Sequence, residues 1–150
     1  MESVQAQLNM HKDIRAIYLE TPSNPKTQCL NIAQVSQVAK AYNVPVIVDN
    51  TFATPYLQRP LTMGADMVIH STTKFLNGHG NALGGVVITG DKKLQDILWE
   101  QIKLTGATSN AWEAWLLHNG LKTLPLRMDK HCQNAMQLAE FFEAHPMVDK

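Results

Sequence analysis

Pro45-Val46-Ile47-Val48-Asp49 is an apolar run that ends on a carboxylate. Strands with one wet face alternate apolar and polar residues, so an unbroken run suits a parallel strand buried on both faces. Asp66-Met67-Val68-Ile69-His70 repeats the pattern and gives way to hydroxyl residues. Upstream, residues 14–19 (Ile-Arg-Ala-Ile-Tyr-Leu) read as another strand. Glu20-Thr21-Pro22-Ser23-Asn24-Pro25 follows as a loop, because its two prolines stop any regular element. Between these strands, Asn31 can cap a helix running to Tyr42, with Ile32, Val35, Val38, Ala39 and Tyr42 on one face.

Downstream, Gly84 to Gly90 predicts a further strand, and Asp91 can cap a helix carrying Leu94, Ile97 and Leu98. Helices are expected over about 110–121 and about 126–144, with Pro125 where the last one could begin. Strands alternating with helices describe an α/β layered domain with a mostly parallel sheet flanked by helices. Residues 1–90 hold the sheet, and residues 91–150 are helical. The chain's 150 residues are enough for one domain.

At 45% hydrophobic and 17% charged residues the composition is that of a globular protein. Lys+Arg and Asp+Glu both number 13. Neither a nucleic-acid partner nor an acidic tail is suggested. Cys29 and Cys132 form no CxxC pair, no apolar run approaches the roughly 20 residues of a membrane span, and the start does not read as a signal peptide. A cytoplasmic location without membrane attachment is expected.

Polar residues gather where strands end. Asn24, Asp49 and Ser71-Thr72-Thr73-Lys74 each follow a strand, and open parallel sheets bind ligands at the carboxyl ends of their strands. Lys74, between hydroxyls and the loop Asn77-Gly78-His79-Gly80, is arranged for Schiff-base chemistry on a phosphorylated aldehyde cofactor, pyridoxal 5'-phosphate. Its amine can hold the aldehyde and later carry a proton. Asp49 can keep a pyridine nitrogen protonated. Ser71 and Thr73 alternate about one position, which on an extended segment puts both hydroxyls on one side, toward a phosphate. Asn24 can donate to the ring's phenolic oxygen. Singly, each of these residues is more often a solvated lysine, a turn aspartate or a loop hydroxyl.

The stretches Glu20-Thr21-Pro22-Ser23-Asn24-Pro25, Val48-Asp49-Asn50-Thr51-Phe52-Ala53-Thr54-Pro55 and Ser71 to Gly80 closely resemble the Cys/Met-metabolism family of pyridoxal-phosphate enzymes. Gly120 to Leu124 and Arg127 to His131 look like that family's helical region. The resemblance implies that Lys74 forms the internal aldimine and Asp49 pairs with the ring nitrogen. It gives Ser71 and Thr73 to the phosphate, Asn24 to the ring oxygen and Thr51 to the ring face. It implies the large domain of the aspartate-aminotransferase-type fold, leading toward a C-terminal domain. The implied assembly is a homo-oligomer, a dimer of dimers. The implied substrate is a small sulfur-containing amino acid or an acyl-homoserine, taken through γ-elimination or γ-replacement. The chain is much shorter than a full family member. A fragment, inactive alone or serving as a structural domain, is therefore expected, and O-acyl-homoserine sulfhydrylase chemistry stays open beside the lyases and synthases.

Other patterns compete weakly. Ser71-Thr72-Thr73-Lys74 matches the S-x-x-K of penicillin-binding proteins, but it follows a strand and no K-T-G exists. A cofactor-free aldolase would leave Asp49 and the paired hydroxyls without joint purpose. His70 and His79 are split by a loop and give no metal pattern. Met10, Met63, Met67, Met136, Trp99, Trp112 and Trp115 are expected to pack in the core or at a subunit interface.

Overall fold

The computed structural model describes residues 2–149. Four strands form one sheet in the order β1 (Ile17–Glu20), β2 (Val46–Asp49), β3 (Met67–Ser71) and β4 (Gly85–Thr89). β1, β2 and β3 run parallel, and β4 pairs antiparallel with β3. The expected mostly parallel sheet is therefore present. The register sets Glu20 beside Asp49 and Asp49 beside Ile69, so three strands end nearly level.

Six α-helices surround it: α1 (Glu2–Met10), α2 (Ile32–Lys40), α3 (Thr54–Leu57), α4 (Lys92–Thr105), α5 (Ala111–Leu121) and α6 (Leu124–Ala144). The caps expected from sequence form. Asn31 accepts from the Gln34 N–H, and Asp91 accepts from the Lys93 and Leu94 N–H groups. Each satisfies amides that a helix start leaves unpaired. α2 packs Ile32, Val35 and Ala39 against Leu19, Val46 and Val48 to form the main core. A second cluster of Leu76, Leu124 and Met128 joins α6 to the segment after β3.

Several expectations need correction. Strand and helix bounds shift by one to three residues, α2 ending at Lys40 rather than Tyr42. α1 escaped the sequence reading because Glu-Ser-Val-Gln-Ala-Gln-Leu-Asn-Met has little apolar periodicity; Leu8 is its buried anchor. α3 and the 3₁₀ turn Pro60–Met63 are each four residues long, too short for any period to register. Met10, Met63, Met136 and all three tryptophans are exposed, so none belongs to this chain's core. Trp112 and Trp115 do share a helical face, but they stack on each other at 5.1 Å rather than on the sheet. No helix among the described residues is long and apolar enough to cross a membrane.

Candidate active site

Pleat alternation determines what the strand ends present. Val48 is buried in the α2 core and its register partner Val68 is nearly fully buried on the same face, so their neighbours Asp49 and Ile69 point to the other face. Ser71 lies two residues past Ile69 and shares its side. A cavity of about 560 Å³ opens there. Asp49, Thr51, Ser71, Lys74 and Asn24 all line it. Five of the six residues singled out from sequence thus meet at one place.

Hydrogen bonds lash the strand ends together. Tyr18 donates its hydroxyl to Asp49 Oδ2 at 2.9 Å, and the Thr51 N–H donates to Oδ1 at 3.0 Å. The Ser71 N–H donates to Thr51 Oγ1 at 2.7 Å, tying β2's end to β3's. The Asn24 N–H reaches the Glu20 carboxylate at 3.3 Å. Burial, then the bond to Asp49 and the charges of Asp49 and Glu20, push the Tyr18 hydroxyl's pKa above its usual 10.0. Behind this layer, Gln58 Nε2 donates to the Thr21 carbonyl and to Asn50 Oδ1, both at 2.8 Å. Asn50 is fully buried between Asp49 and Thr51 in sequence, so this carboxamide pair holds the backbone carrying both.

Lys74 sits on a hydrogen-bonded turn. Its N–H donates to the Ser71 carbonyl at 3.3 Å, and its own carbonyl accepts from the Gly78 N–H at 2.7 Å. The Asn77 N–H closes on the Thr72 carbonyl at 3.1 Å. The lysine is exposed. The single ion pair among the described residues joins Lys92 to Asp96, leaving the Lys74 amine and the Asp49 carboxylate outside any salt bridge.

The turn also corrects the spacing argument for Thr73. Extended backbone stops at Ser71, so alternation no longer applies. Thr73 Oγ1 instead accepts from the Gly84 N–H at 3.1 Å and lies outside the cavity's lining. Its longer contact to the Gly84 carbonyl, 3.4 Å, is weak.

Three aromatic residues of the lining were not singled out from sequence. Phe52 and Phe75 meet edge to face at 6.2 Å, and Phe75 packs on His131 of α6 at 5.1 Å. They form an aromatic wall that depends on α6 packing back across more than fifty residues of chain. The hint in the sequence was that Phe52, Phe75 and His131 each fall in a family-like stretch.

His70 lies on the opposite, core face and is 1% exposed, with its Nδ1 unpaired. Burial lowers its pKa from the usual 6.5, against a smaller opposing pull from Asp49. His79 Nδ1 contacts the Asn77 carbonyl at 2.7 Å. The two histidines therefore serve different surroundings. Among the described residues no three His, Cys, Asp or Glu side chains converge as a metal site would need.

An amine, a carboxylate, a hydroxyl and an amide around a cavity of this size fit a phosphorylated pyridine aldehyde in both chemistry and volume. The comparisons agree. The chain is 48% identical over 151 residues to an L-methionine gamma-lyase of Treponema denticola, covering 99% of this chain and 37% of that protein. It is 43% identical over 153 residues to a cystathionine beta-lyase of Coxiella burnetii, again covering 99% and 37%. The crystal structure of a cystathionine gamma synthase from Xanthomonas oryzae pv. oryzae, in complex with cystathionine, superposes with a TM-score of 0.94 at 37% identity, over 100% of this chain and 38% of that one. The chain thus spans little more than a third of its relatives' length. With the model for Cys/Met metabolism PLP-dependent enzymes matching residues 1–150 throughout, the chain belongs to that family.

Proposed function

We propose that this chain carries the lysine, aspartate and hydroxyl core of a pyridoxal-phosphate site in an enzyme of sulfur amino-acid metabolism. The observation that carries the reading is the meeting of Lys74, Asp49, Ser71, Asn24 and Thr51 at one cavity. Residues 1–150 then form part of the cofactor domain, its sheet and site within 1–90 and its helices within 91–150.

Bound there, the cofactor supplies an aldehyde that condenses with amines and a ring that accepts electron density from a neighbouring carbon. Lys74 would hold the aldehyde through its amine and, with a substrate in place, would move the proton at the substrate's α-carbon and, in γ-chemistry, at its β-carbon. Asp49 accepts the hydrogen bond of the protonated ring nitrogen, with the Tyr18 hydroxyl and Thr51 N–H fixing its plane. Ser71, which lines the cavity, would donate to the phosphate, while the Thr73 hydroxyl accepts from the Gly84 N–H outside the lining. Asn24 donates to the ring oxygen, and the Thr51 methyl packs on the ring face.

The names of the relatives point to a methionine or cystathionine C–S lyase, or to a cystathionine synthase performing γ-replacement. The assembly proposed is a cytoplasmic homo-oligomer, with a small sulfur amino acid or acyl-homoserine as substrate. The test is the visible spectrum of the chain mixed with pyridoxal phosphate, followed by borohydride reduction and peptide mapping. A yellow band with label on Lys74, lost in Lys74→Ala, supports the reading. Label scattered evenly over surface lysines, unchanged when the rest of the enzyme's length is supplied, refutes it and favours a purely structural domain.

A further inference from the structure

Arg127 does not line the cavity, yet its guanidinium reaches the Lys74 turn directly. Nη1 donates to the Phe75 carbonyl at 2.8 Å, one residue past the lysine. Nη2 donates to the Gly120 carbonyl at 2.8 Å, and Nε donates to Thr123 Oγ1 at 3.0 Å. One rigid fork thus joins the turn after β3 to the junction of α5 and α6. Among the described residues no carboxylate pairs with it, and the oxygens that meet its charge are carbonyl and hydroxyl ones.

Two glycines make the approach feasible. A Cβ on Gly78 would collide with the Arg127 guanidinium, and Gly78 also holds φ at +77°. A Cβ on Gly120 would collide with the Asn77 backbone. The neighbours of Arg127 in α6 reinforce the contact. Met128 is buried against Leu76 and Leu124, Asp129 accepts from the Tyr56 hydroxyl at 3.0 Å, and His131 packs on the Phe75 ring.

We infer that Arg127 is a positioning residue for Lys74: by holding the Phe75 carbonyl it fixes the turn that aims the lysine amine at the cavity. This rests on the function proposed above. The guanidinium's planar donors satisfy acceptors from two segments at once, a geometry that an ammonium cannot copy. The Asn77 and Gly78 amides close the turn, so the clamp also governs how often it opens.

The test uses the full chain, in the parent, Arg127→Lys and Thr123→Val forms, with two readouts. The first is the ratio of borohydride-fixed pyridoxal phosphate on Lys74 to that on Lys93, an exposed lysine of α4 that serves as internal reference. The second is amide hydrogen exchange at Asn77 and Gly78 against the amides of β2 and β3. In Arg127→Lys the labelling ratio falls by about fivefold or more, and the turn amides exchange about tenfold faster while the strands keep their protection. Thr123→Val removes one of the guanidinium's three bonds, together with the Thr123 hydroxyl's 3.2 Å bond to the Gly120 carbonyl, leaves the guanidinium in place and gives a smaller loss, about twofold, so the idea stays testable if Arg127→Lys fails to fold.

Turn exchange within a factor of two of the parent overturns the proposal. So does acceleration shared equally by the strands, which is what a merely stabilising arginine produces, or a loosened turn with an unchanged labelling ratio. A parent chain that labels Lys74 no more than Lys93, even when the rest of the enzyme's length is supplied, refutes the cofactor reading instead, and the exchange data then judge the clamp by themselves.

Discussion

Thr51 has two separable duties, and two substitutions divide them. Its Oγ1 accepts the Ser71 N–H at 2.7 Å, and this bond ties the end of β2 to the end of β3. Thr51→Val keeps the shape and the methyl group but puts a second methyl where the acceptor was. A typical hydrogen bond contributes about 1 kcal/mol net, and an orphaned buried amide costs about 1–3 kcal/mol. Ser71 is half-buried, so water replaces part of the loss. The expected destabilisation is therefore about 1–2 kcal/mol, or roughly 2–8 °C in Tm for a chain of this size. Thr51→Ser keeps the oxygen and removes only a methyl. If that methyl packs on the cofactor ring, about 0.8 kcal/mol of buried contact is lost, which is about fourfold in cofactor affinity. Urea unfolding measures the first effect, and titration of the Lys74 absorbance with pyridoxal phosphate measures the second. Val should lower stability more than Ser, while Ser should weaken cofactor binding. Equal stability of the Val variant and the parent would refute the strand-end tie. A Ser variant with unchanged affinity would remove Thr51 from the ring face.

Asp49→Asn keeps an acceptor for the Thr51 N–H but cannot hold a protonated ring nitrogen; the chain should still fold and label at Lys74, while turnover by the full-length enzyme falls by about 100-fold or more. His70 titrates below 6.5 because burial disfavours its charged form, so its contribution to stability is complete above pH 6.5 and is lost as pH falls below that value toward the depressed folded pKa. Urea midpoints at pH 7.5 and 5.5 should therefore separate more in the parent than in His70→Leu. Gly120→Ala places a methyl against the Asn77 backbone and should cost about 1–3 kcal/mol, read as a lower urea midpoint; an unchanged midpoint would mean that α5 and the turn are not in close contact.

The parallel strands were legible because a strand buried on both faces leaves an unbroken apolar run, as Val46-Ile47-Val48 and Met67-Val68-Ile69 do. α2 was legible because Ile32, Val35 and Ala39 recur at helical spacing and Asn31 supplies the cap. Lys74, Asp49, Ser71 and Asn24 could be read because each follows a strand, and parallel strands deliver their ends to one place, whereas Thr51 was implied only by the family resemblance. Thr73 shows where that logic stops, because alternation presumes extended backbone and the chain coils after Ser71. His131, Phe75 and Arg127 were beyond reach for a different cause. Their roles depend on α6 folding back onto the turn, a long-range packing event that no local period encodes. For the tryptophans, spacing of three positions reports a shared helical face but not whether this chain's core or another subunit covers it.

The same alternation that builds the core also determines how the site is approached. Leu19, Val48 and Val68 share the core face of the sheet at 7%, 0% and 3% exposure, whereas Tyr18 on the other face is 58% exposed. Asp49 and Ser71 belong to that second face, where this chain lays down no buried core cluster among the described residues. Apolar packing therefore fixes the strand ends from behind, through α2 and the Gln58–Asn50 pair, and leaves their polar side chains free of competing contacts in front. Preorganisation of this kind costs no reorganisation when a ligand arrives, because the carboxylate and the turn are already held by Tyr18, Thr51 and Arg127. It also explains why the site residues and the core residues are interleaved one by one along β2 and β3. A one-residue slip of register would exchange the two sets, burying Asp49 and exposing Val48, so the force that stabilises the sheet is also the one that keeps the site facing outward.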